Sequence, residues 1–180
     1  ALPEKDFTRL VERLPDINYS FINEGHVFDL GGIEVETIEV PGHTDGSVVF
    51  NINGRDILLT GDAIGSGHGV WIFNTEAFNK YASAVPHLIS WIEDPENGVN
   101  AEQLRIYGGH YWQRDWFPEL EGKEMGMSYI HEMQALIDEI KAGTAATEPS
   151  GLDHPVLDTY FRHGMAIIVW NAEQAQQLRY

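Results

Sequence analysis

Val40-Pro41-Gly42-His43 is the first of three short stretches that share one arrangement of residue types. The others are Leu59-Thr60-Gly61-Asp62 and Tyr107-Gly108-Gly109-His110. Each begins with a hydrophobic residue at the end of a predicted strand and closes, three residues later, on a histidine or an aspartate preceded by glycine. Glycine permits tight backbone turns, and α/β sheets place their ligands just beyond the strand ends. If the three strands are neighbours, two imidazoles and one carboxylate therefore meet at one edge of the sheet.

The rest of the sequence predicts further strands and two long helices around this edge. Glycine-rich segments with short apolar periods, typical of strands, extend from residue 19 to about residue 59. Apolar residues at helical spacing predict one helix over residues 78–92, with a kink or restart at Pro86, and another over residues 125–140. Strands mixed with helices indicate an α/β layered domain. We expect residues 1–180 to form a single domain or half-domain, with a mixed sheet and flanking helices.

Two local patterns add detail to the predicted strands. The apolar phase shifts between Val35 and Ile38, which predicts a bulge near Thr37. Residues 57–59 are apolar without interruption, which predicts a strand that is buried on both faces.

Composition and charge narrow the classes of function. The chain has 180 residues, of which 43% are hydrophobic, enough for a globular core and against a disordered chain. Its formal charge is −17, from 11 Lys and Arg against 28 Asp and Glu. Because such a surface repels phosphate backbones and anionic lipid, we expect neither nucleic acid nor membrane as a partner. A metal cation or a neutral or cationic small molecule is the more natural partner, and the absence of cysteine excludes thiolate zinc sites and cysteine nucleophiles.

The chemistry of His43, Asp62 and His110 allows two interpretations. Imidazole nitrogen and carboxylate oxygen are the common zinc ligands when thiolates are absent, and the two oxygens of a carboxylate can bridge a pair of metal ions. Alternatively, each residue is an ordinary loop residue whose side chain makes hydrogen bonds. Spacing alone leaves both interpretations open.

Longer segments around these residues resemble the metallo-β-lactamase fold superfamily. Pro41-Gly42-His43-Thr44-Asp45-Gly46-Ser47, Thr60-Gly61-Asp62-Ala63 and Tyr107-Gly108-Gly109-His110 are similar to its third, fourth and fifth motifs, in the right order. The segment over residues 29–35 resembles the strand that leads into the third motif, and residues 165–170 fit the last strand. The resemblance extends over about residues 20–170. It implies the C-terminal half of an αββα sandwich.

The resemblance also implies roles for the three polar residues. His43 would complete a first metal site, Asp62 would bridge two metal ions and be the catalytic carboxylate, and His110 would belong to the second site. Members of the superfamily generally use zinc, two ions in the complete site, with iron or manganese in some cases. A divalent ion lowers the pKa of its bound water to about 7, so that metal-bound hydroxide attacks an ester, lactam, thioester or similar bond of a small-molecule substrate.

One motif of the superfamily, His-x-His-x-Asp-His, is absent. No two of the eight histidines are separated by a single residue; they are His26, His43, His68, His87, His110, His131, His154 and His163. We therefore expect the chain to be the C-terminal half of a longer protein, with an N-terminal half missing, and to be inactive alone. The alternatives are a natural half that pairs with a partner chain, and a non-catalytic scaffold or binding domain with a degenerate metal site.

Further expectations concern substrate binding and assembly. His68, in a glycine-rich loop after Asp62, and His163, before Gly164 and the last strand, are candidates for substrate contacts, although a solvated loop histidine is the simpler interpretation for His68. Glyoxalase II-like activity is disfavoured because the Gly-Cys-Gly-Arg segment usual there has no counterpart. Half of a two-layer sandwich leaves an apolar sheet face uncovered, so we expect self-association through that face.

Overall fold

The computed structural model describes residues 20–65, 69–110 and 125–178. Within these ranges the chain forms two sheets and the helices that flank them. In chain order they are β1 (Val27–Asp29), β2 (Glu34–Glu39), β3 (Val48–Ile52), β4 (Ile57–Gly61), β5 (Val70–Trp71), α1 (Thr75–Glu93), a 3-10 turn (Pro95–Asn97), β6 (Arg105–Gly108), α2 (Met127–Ala142), β7 (Ala146–Pro149), β8 (Thr159–His163), β9 (Ala166–Trp170) and α3 (Ala172–Gln177).

The first sheet has the strand order β1-β2-β3-β4-β6 and carries the three motifs. β1 to β4 pair antiparallel, whereas β4 and β6 pair parallel. β2 and β4, each antiparallel to β3, therefore run in the same direction as β6. As a result the carboxyl ends of β2, β4 and β6 lie at one edge of the sheet. Contrary to the supposition made from the sequence, the three strands are not all neighbours, because β3 lies between β2 and β4.

The second sheet has the order β5-β9-β8-β7, with β5 parallel to β9 and the other pairs antiparallel. Both sheets are thus mixed, in agreement with the α/β prediction. One buried cluster contains residues from both sheets and both long helices, among them Ile38, Phe78, Tyr129 and Trp170. The Phe78 ring stacks on Trp170 at a centroid distance of 4.6 Å, which joins α1 to the second sheet.

Helix α1 is continuous from Thr75 to Glu93, so the predicted restart at Pro86 is wrong. Asn74 caps its start by accepting the Ala77 N–H at 2.8 Å. Gly143 ends α2 in the left-handed conformation. Among the described residues, no helix has the length and apolarity that crossing a bilayer requires.

Strand β2 is regular at Thr37, so the predicted bulge there is wrong. Its pairing with β3 is regular from Val35 to Glu39, so the shift in apolar phase marks a change of face. Ile38 is fully buried on the inner face, whereas Val35 lies on the opposite face, opposite Ile52. Apolar residues on both faces of one regular strand produce the same sequence pattern as a bulge.

The side of the first sheet that faces away from the buried cluster is called the outer face here. Leu59 on this face is 39% exposed while its neighbour Leu58 is fully buried, so the prediction that residues 57–59 are buried on both faces is wrong. Tyr107, paired with Leu59, is 51% exposed. Cross-strand pairing places these apolar side chains on the outer face: Phe28, Val35, Phe50, Ile52, Leu59 and Tyr107.

Candidate metal centre

The edge where β2, β4 and β6 end brings together the three residues that the sequence singled out. Asp62 Oδ2 lies 4.0 Å from His43 Nε2, and Asp62 Oδ1 lies 3.2 Å from His110 Nε2. The carboxylate therefore lies between two imidazoles and presents a different oxygen to each. The Asp62 and His110 side chains are 40% and 45% exposed, which leaves the group accessible to a ligand.

The orientation of His43 is set by the second sheet and by the turn of its own motif. Its Nδ1 donates to the carbonyl of Trp71 in β5 at 3.0 Å, and its Nε2 is directed at the Asp62 side. In the turn, the Thr44 N–H donates to the Ser47 hydroxyl at 3.0 Å, and the two hydroxyls are 2.9 Å apart. This local hydrogen bonding explains the Thr and Ser of the motif.

Gly42, directly before His43, has no room for a side chain. A Cβ there would lie 2.5 Å from Tyr81 Cβ, and its φ of +155° is one that other residues rarely adopt. Tyr81 of α1 is fully buried, and this burial, together with the nearby Tyr129, raises the pKa of its phenol well above the usual value. The His43 turn thus rests on a buried aromatic ring of α1.

Asp62 is positioned by a tight turn after β4. The buried Thr60 hydroxyl donates to the Ile64 carbonyl, and the Ala63 N–H donates to the Thr60 carbonyl at 3.0 Å. Across the parallel pair, the Gly109 N–H donates to the Gly61 carbonyl at 2.9 Å, which joins the Asp62 turn to the segment that carries His110. A Cβ on Gly109 would lie 2.6 Å from Asp62 Oδ1, so a larger residue there would displace this carboxylate.

The donor set fits a shared carboxylate better than a single closed metal site. Asp62 Oδ1 is buried and has no hydrogen-bond partner among the described residues, an arrangement that leaves it available to a cation. Two donors on one tetrahedral zinc lie roughly 3.3 Å apart, close to the 3.2 Å between Asp62 Oδ1 and His110 Nε2. Among residues 20–65, 69–110 and 125–178, however, no group of three or more His, Asp or Glu side chains forms a metal-holding cluster.

His43, Asp62 and His110 are thus the residues that would supply part of the ligand set of a metal centre. The remaining ligands are not found among the described residues. The carboxylate of Asp45, in the same motif as His43, is instead bound by Lys80 at 2.7 Å. Hydrogen bonds to Asp45 and Glu76 raise the pKa of Lys80, so its ammonium stays charged.

Of the two candidate substrate-contacting histidines, only His163 lies within the part of the chain that the structure describes. His68 lies outside the described residues, so its role stays a prediction. His163, at the end of β8, is described, and its Nδ1 is 2.8 Å from Glu139 Oε1 of α2. The structure thus joins His163 to the helix layer, and its proposed contact with substrate also stays a prediction.

Two aromatic neighbours of the centre were missed by the sequence reasoning. The Phe73 ring lies 5.7 Å from the His43 ring, and the His154 ring lies 6.1 Å from Phe73. Phe73 follows the short strand β5, while His154 belongs to the loop between β7 and β8. A hydrophobic residue just beyond a strand end was the available signal for Phe73; no local pattern marks His154.

Residues 3–132 match the metallo-beta-lactamase superfamily, and the chain belongs to that superfamily. A beta-lactamase domain protein from Burkholderia ambifaria has a similar solved structure, with a TM-score of 0.51 at 13% identity, over 76% of this chain and 41% of that one. At this identity the likeness shows the fold alone. The fold predicted from the sequence is confirmed.

Two curated relatives match shorter segments. An uncharacterized protein of Mycobacterium tuberculosis is 48% identical over 46 residues, which are 23% of this chain and 20% of that protein. A hydroxyacylglutathione hydrolase of Ruegeria pomeroyi is 38% identical over 52 residues, which are 29% of this chain and 20% of the relative. The chain thus matches about a fifth of the length of these relatives.

Proposed function

We propose that this chain is part of a metal-dependent hydrolase in which His43, Asp62 and His110 supply ligands to a pair of metal ions. The observation that supports the proposal most strongly is the Asp62 carboxylate, whose two oxygens face the imidazoles of His43 and His110 at 4.0 and 3.2 Å. The buried Oδ1, which has no hydrogen-bond partner among the described residues, adds to it. The chain belongs to a superfamily that includes hydrolases, which agrees with this chemistry.

Each of the three residues has a distinct task in the proposal. His43 would present Nε2 to the metal, with its ring oriented by the bond from Nδ1 to the Trp71 carbonyl. Asp62 would offer one carboxylate oxygen on the side of each imidazole. His110 presents Nε2 to Asp62 Oδ1 from the neighbouring strand end. A bound divalent ion supplies the acidification of water that makes hydroxide available at neutral pH and polarises the bond to be cleaved.

Zinc is the proposed ion because imidazole nitrogen and carboxylate oxygen are its common ligands where thiolates are absent. Iron and manganese accept the same donors and are the alternative ions. The proposed substrate is a small molecule with an ester, lactam or thioester bond. Similarity to a hydroxyacylglutathione hydrolase keeps the thioester in this group. The absence of cysteine, and so of the Gly-Cys-Gly-Arg segment after Asp62, distinguishes this chain from the usual glyoxalase II pattern.

The test combines metal content with hydrolysis. We expect the natural protein to contain about two metal ions per molecule, and to hydrolyse an ester, thioester or lactam in a reaction that a chelator abolishes. The 180-residue chain by itself is expected to be inactive, because the ligands found in its described residues are too few to hold a pair of ions. Robust chelator-sensitive turnover by the chain alone would contradict this part of the proposal.

A second function, a scaffold or binding domain with a degenerate metal site, is favoured by one observation. The sequence has no His-x-His-x-Asp-His segment, and the described residues contain no complete ligand cluster. Natural protein that is free of tightly bound metal and inactive on every substrate class would support the scaffold. The hydrolase proposal would then be rejected.

A further inference from the structure

We propose that Phe73 and His154 form one wall of a substrate subsite beside His43, which accepts a neutral substrate with an aromatic or apolar group next to its scissile carbonyl. The inference rests on the proposed hydrolase function and names the substrate class of that site. The rings of His43, Phe73 and His154 form a row. The Phe73 ring centroid lies 5.7 Å from that of His43 and 6.1 Å from that of His154. If a reacting carbonyl is held next to His43, a group attached to it would have Phe73 within reach, because the two rings lie 5.7 Å apart.

Phe73 is fixed in this row by the same strand that orients His43. It follows β5 directly after Ile72, and the carbonyl of Trp71 in that strand accepts the His43 Nδ1–H at 3.0 Å. The Ile72 N–H donates to the Val169 carbonyl at 2.9 Å and extends the pairing up to Phe73. A ring held by a paired strand loses little freedom on binding a ligand, which favours affinity.

His154 is fixed by a loop that folds over the second sheet. The Ser150 hydroxyl donates to the Leu157 carbonyl at 2.5 Å and accepts the Leu152 N–H at 3.1 Å, which closes the loop on itself. Apolar side chains of the loop pack on β8 and β9 together with Trp71 and Phe73; they are Leu152, Val156 and Leu157. The wall is therefore continuous with a small apolar cluster.

The chemistry of the wall indicates a carbonyl substrate with an apolar substituent. His154 Nδ1 accepts the Val156 N–H at 3.3 Å, so in the neutral ring the proton is on Nε2, which becomes a hydrogen-bond donor. Phe73 offers an apolar face for a ring or alkyl group. One donor beside one apolar surface suits an oxygen acceptor beside an aromatic or apolar group.

Charge favours a neutral substrate over an anionic one. Asp153 is exposed directly before His154, and the whole chain has a formal charge of −17. An anionic group would be repelled by these carboxylates, whereas a neutral acyl group would not.

The experiment measures binding of phenylacetamide, a neutral amide with an aromatic group, to the 180-residue chain by NMR. Acetamide, which lacks the ring, is the matched control ligand. We expect phenylacetamide to shift the side-chain resonances of Phe73 and His154 in a saturable way, and acetamide to leave them unchanged. The Phe73→Ala substitution should weaken binding about threefold to tenfold, the effect typical of one aromatic contact.

Three further variants keep the result interpretable. Phe73→Leu keeps an apolar side chain in case Phe73→Ala does not fold, and it should still weaken binding of the aromatic probe. His154→Ala, at an exposed position, should weaken it too, whereas His87→Ala, which loses only the exposed pair with Glu24, should not. A phenylacetamide affinity that is the same in the wild type, in both Phe73 variants and in His154→Ala would overturn the subsite.

The outcomes separate the subsite from the hydrolase. Probe binding that depends on Phe73, in a protein that holds no metal and hydrolyses nothing, would uphold the subsite and reject the hydrolase. Chelator-sensitive hydrolysis by the natural protein, with equal rates for phenylacetyl and acetyl esters before and after Phe73→Leu, would uphold the hydrolase and reject the subsite.

Discussion

Asp62 faces His43 with one carboxylate oxygen and His110 with the other, at 4.0 Å from Oδ2 to Nε2 and 3.2 Å from Oδ1 to Nε2. This relationship follows from the topology, because β2, β4 and β6 run in one direction and end at one edge of the first sheet. A carboxylate that served a single imidazole would leave its second oxygen to solvent. Here each oxygen faces an imidazole nitrogen, and the proposed function assigns this carboxylate to a pair of cations.

The charge of Asp62 is the first property to test. We expect Asp62→Asn, which keeps the size and removes the charge, to weaken zinc binding by the chain on the order of tenfold or more. Competition against a chromophoric chelator measures the affinity. Asp45→Asn is the matched control, since Asp45 is bound by Lys80 at 2.7 Å, and its zinc affinity should stay that of the wild type. Equal affinities for wild type and Asp62→Asn would remove Asp62 from the metal centre.

The close approach of Gly109 to Asp62 gives a second prediction. In Gly109→Ala the new Cβ would lie 2.6 Å from Asp62 Oδ1 and 3.1 Å from the Gly61 carbonyl carbon, so the carboxylate has to move. We expect zinc affinity to fall about tenfold, while the melting temperature, followed by circular dichroism, changes by only a few degrees. Unchanged affinity would show that the position of Oδ1 does not matter for the metal.

We expect the buried phenol of Tyr81 to make the protein less stable in alkali. Its folded-state pKa is raised by burial and then by Tyr129, so its contribution is complete below the ordinary pKa and is lost as pH rises through the higher folded value. Above about pH 10, the free energy of unfolding should fall by up to about 1.4 kcal/mol per pH unit from this group. Urea unfolding across that range should show a smaller fall in Tyr81→Phe. Tyr107→Phe, at a residue 51% exposed, serves as control and should retain the wild-type slope.

The outer face of the first sheet is proposed as a surface for self-association. Leu59 and Tyr107 on this face are 39% and 51% exposed, and a contiguous apolar surface of this kind favours contact with a second copy. We expect sedimentation velocity to show dimers or larger species, and Leu59→Asp to shift them towards monomer. Leu30→Asp, at a residue 66% exposed outside the paired strands, should have no such effect. A monodisperse, stable wild-type monomer would contradict this proposal.

The parts of the fold and site that could be predicted from the sequence are those that depend on residues close together in the chain. His43, Asp62 and His110 each follow a strand end after glycine, so short segments were sufficient to bring them to one edge. The Phe73–His154 contact joins residues 81 positions apart through β5 and a loop over the second sheet, and no local pattern encodes it.

Strand β2 shows a different limit of the sequence reasoning. Val35 and Ile38 lie on opposite faces of a regular strand, and a sheet that is apolar on both faces gives the same phase shift as a bulge. His163 shows a third. Its partner Glu139 comes from a helix 24 residues earlier in the chain, so this hydrogen bond depends on tertiary packing.

The most direct test of the central claim is a cobalt(II) titration of the chain, followed by the visible absorption of the bound ion. The account predicts absorption changes that show nitrogen and oxygen ligation, and that are weakened separately by His43→Ala, Asp62→Asn and His110→Ala. His131→Ala, which alters only an exposed histidine near Glu93, should leave the titration unchanged. Cobalt binding that is equally strong in the variant lacking all three side chains would contradict the assignment of His43, Asp62 and His110 as metal ligands.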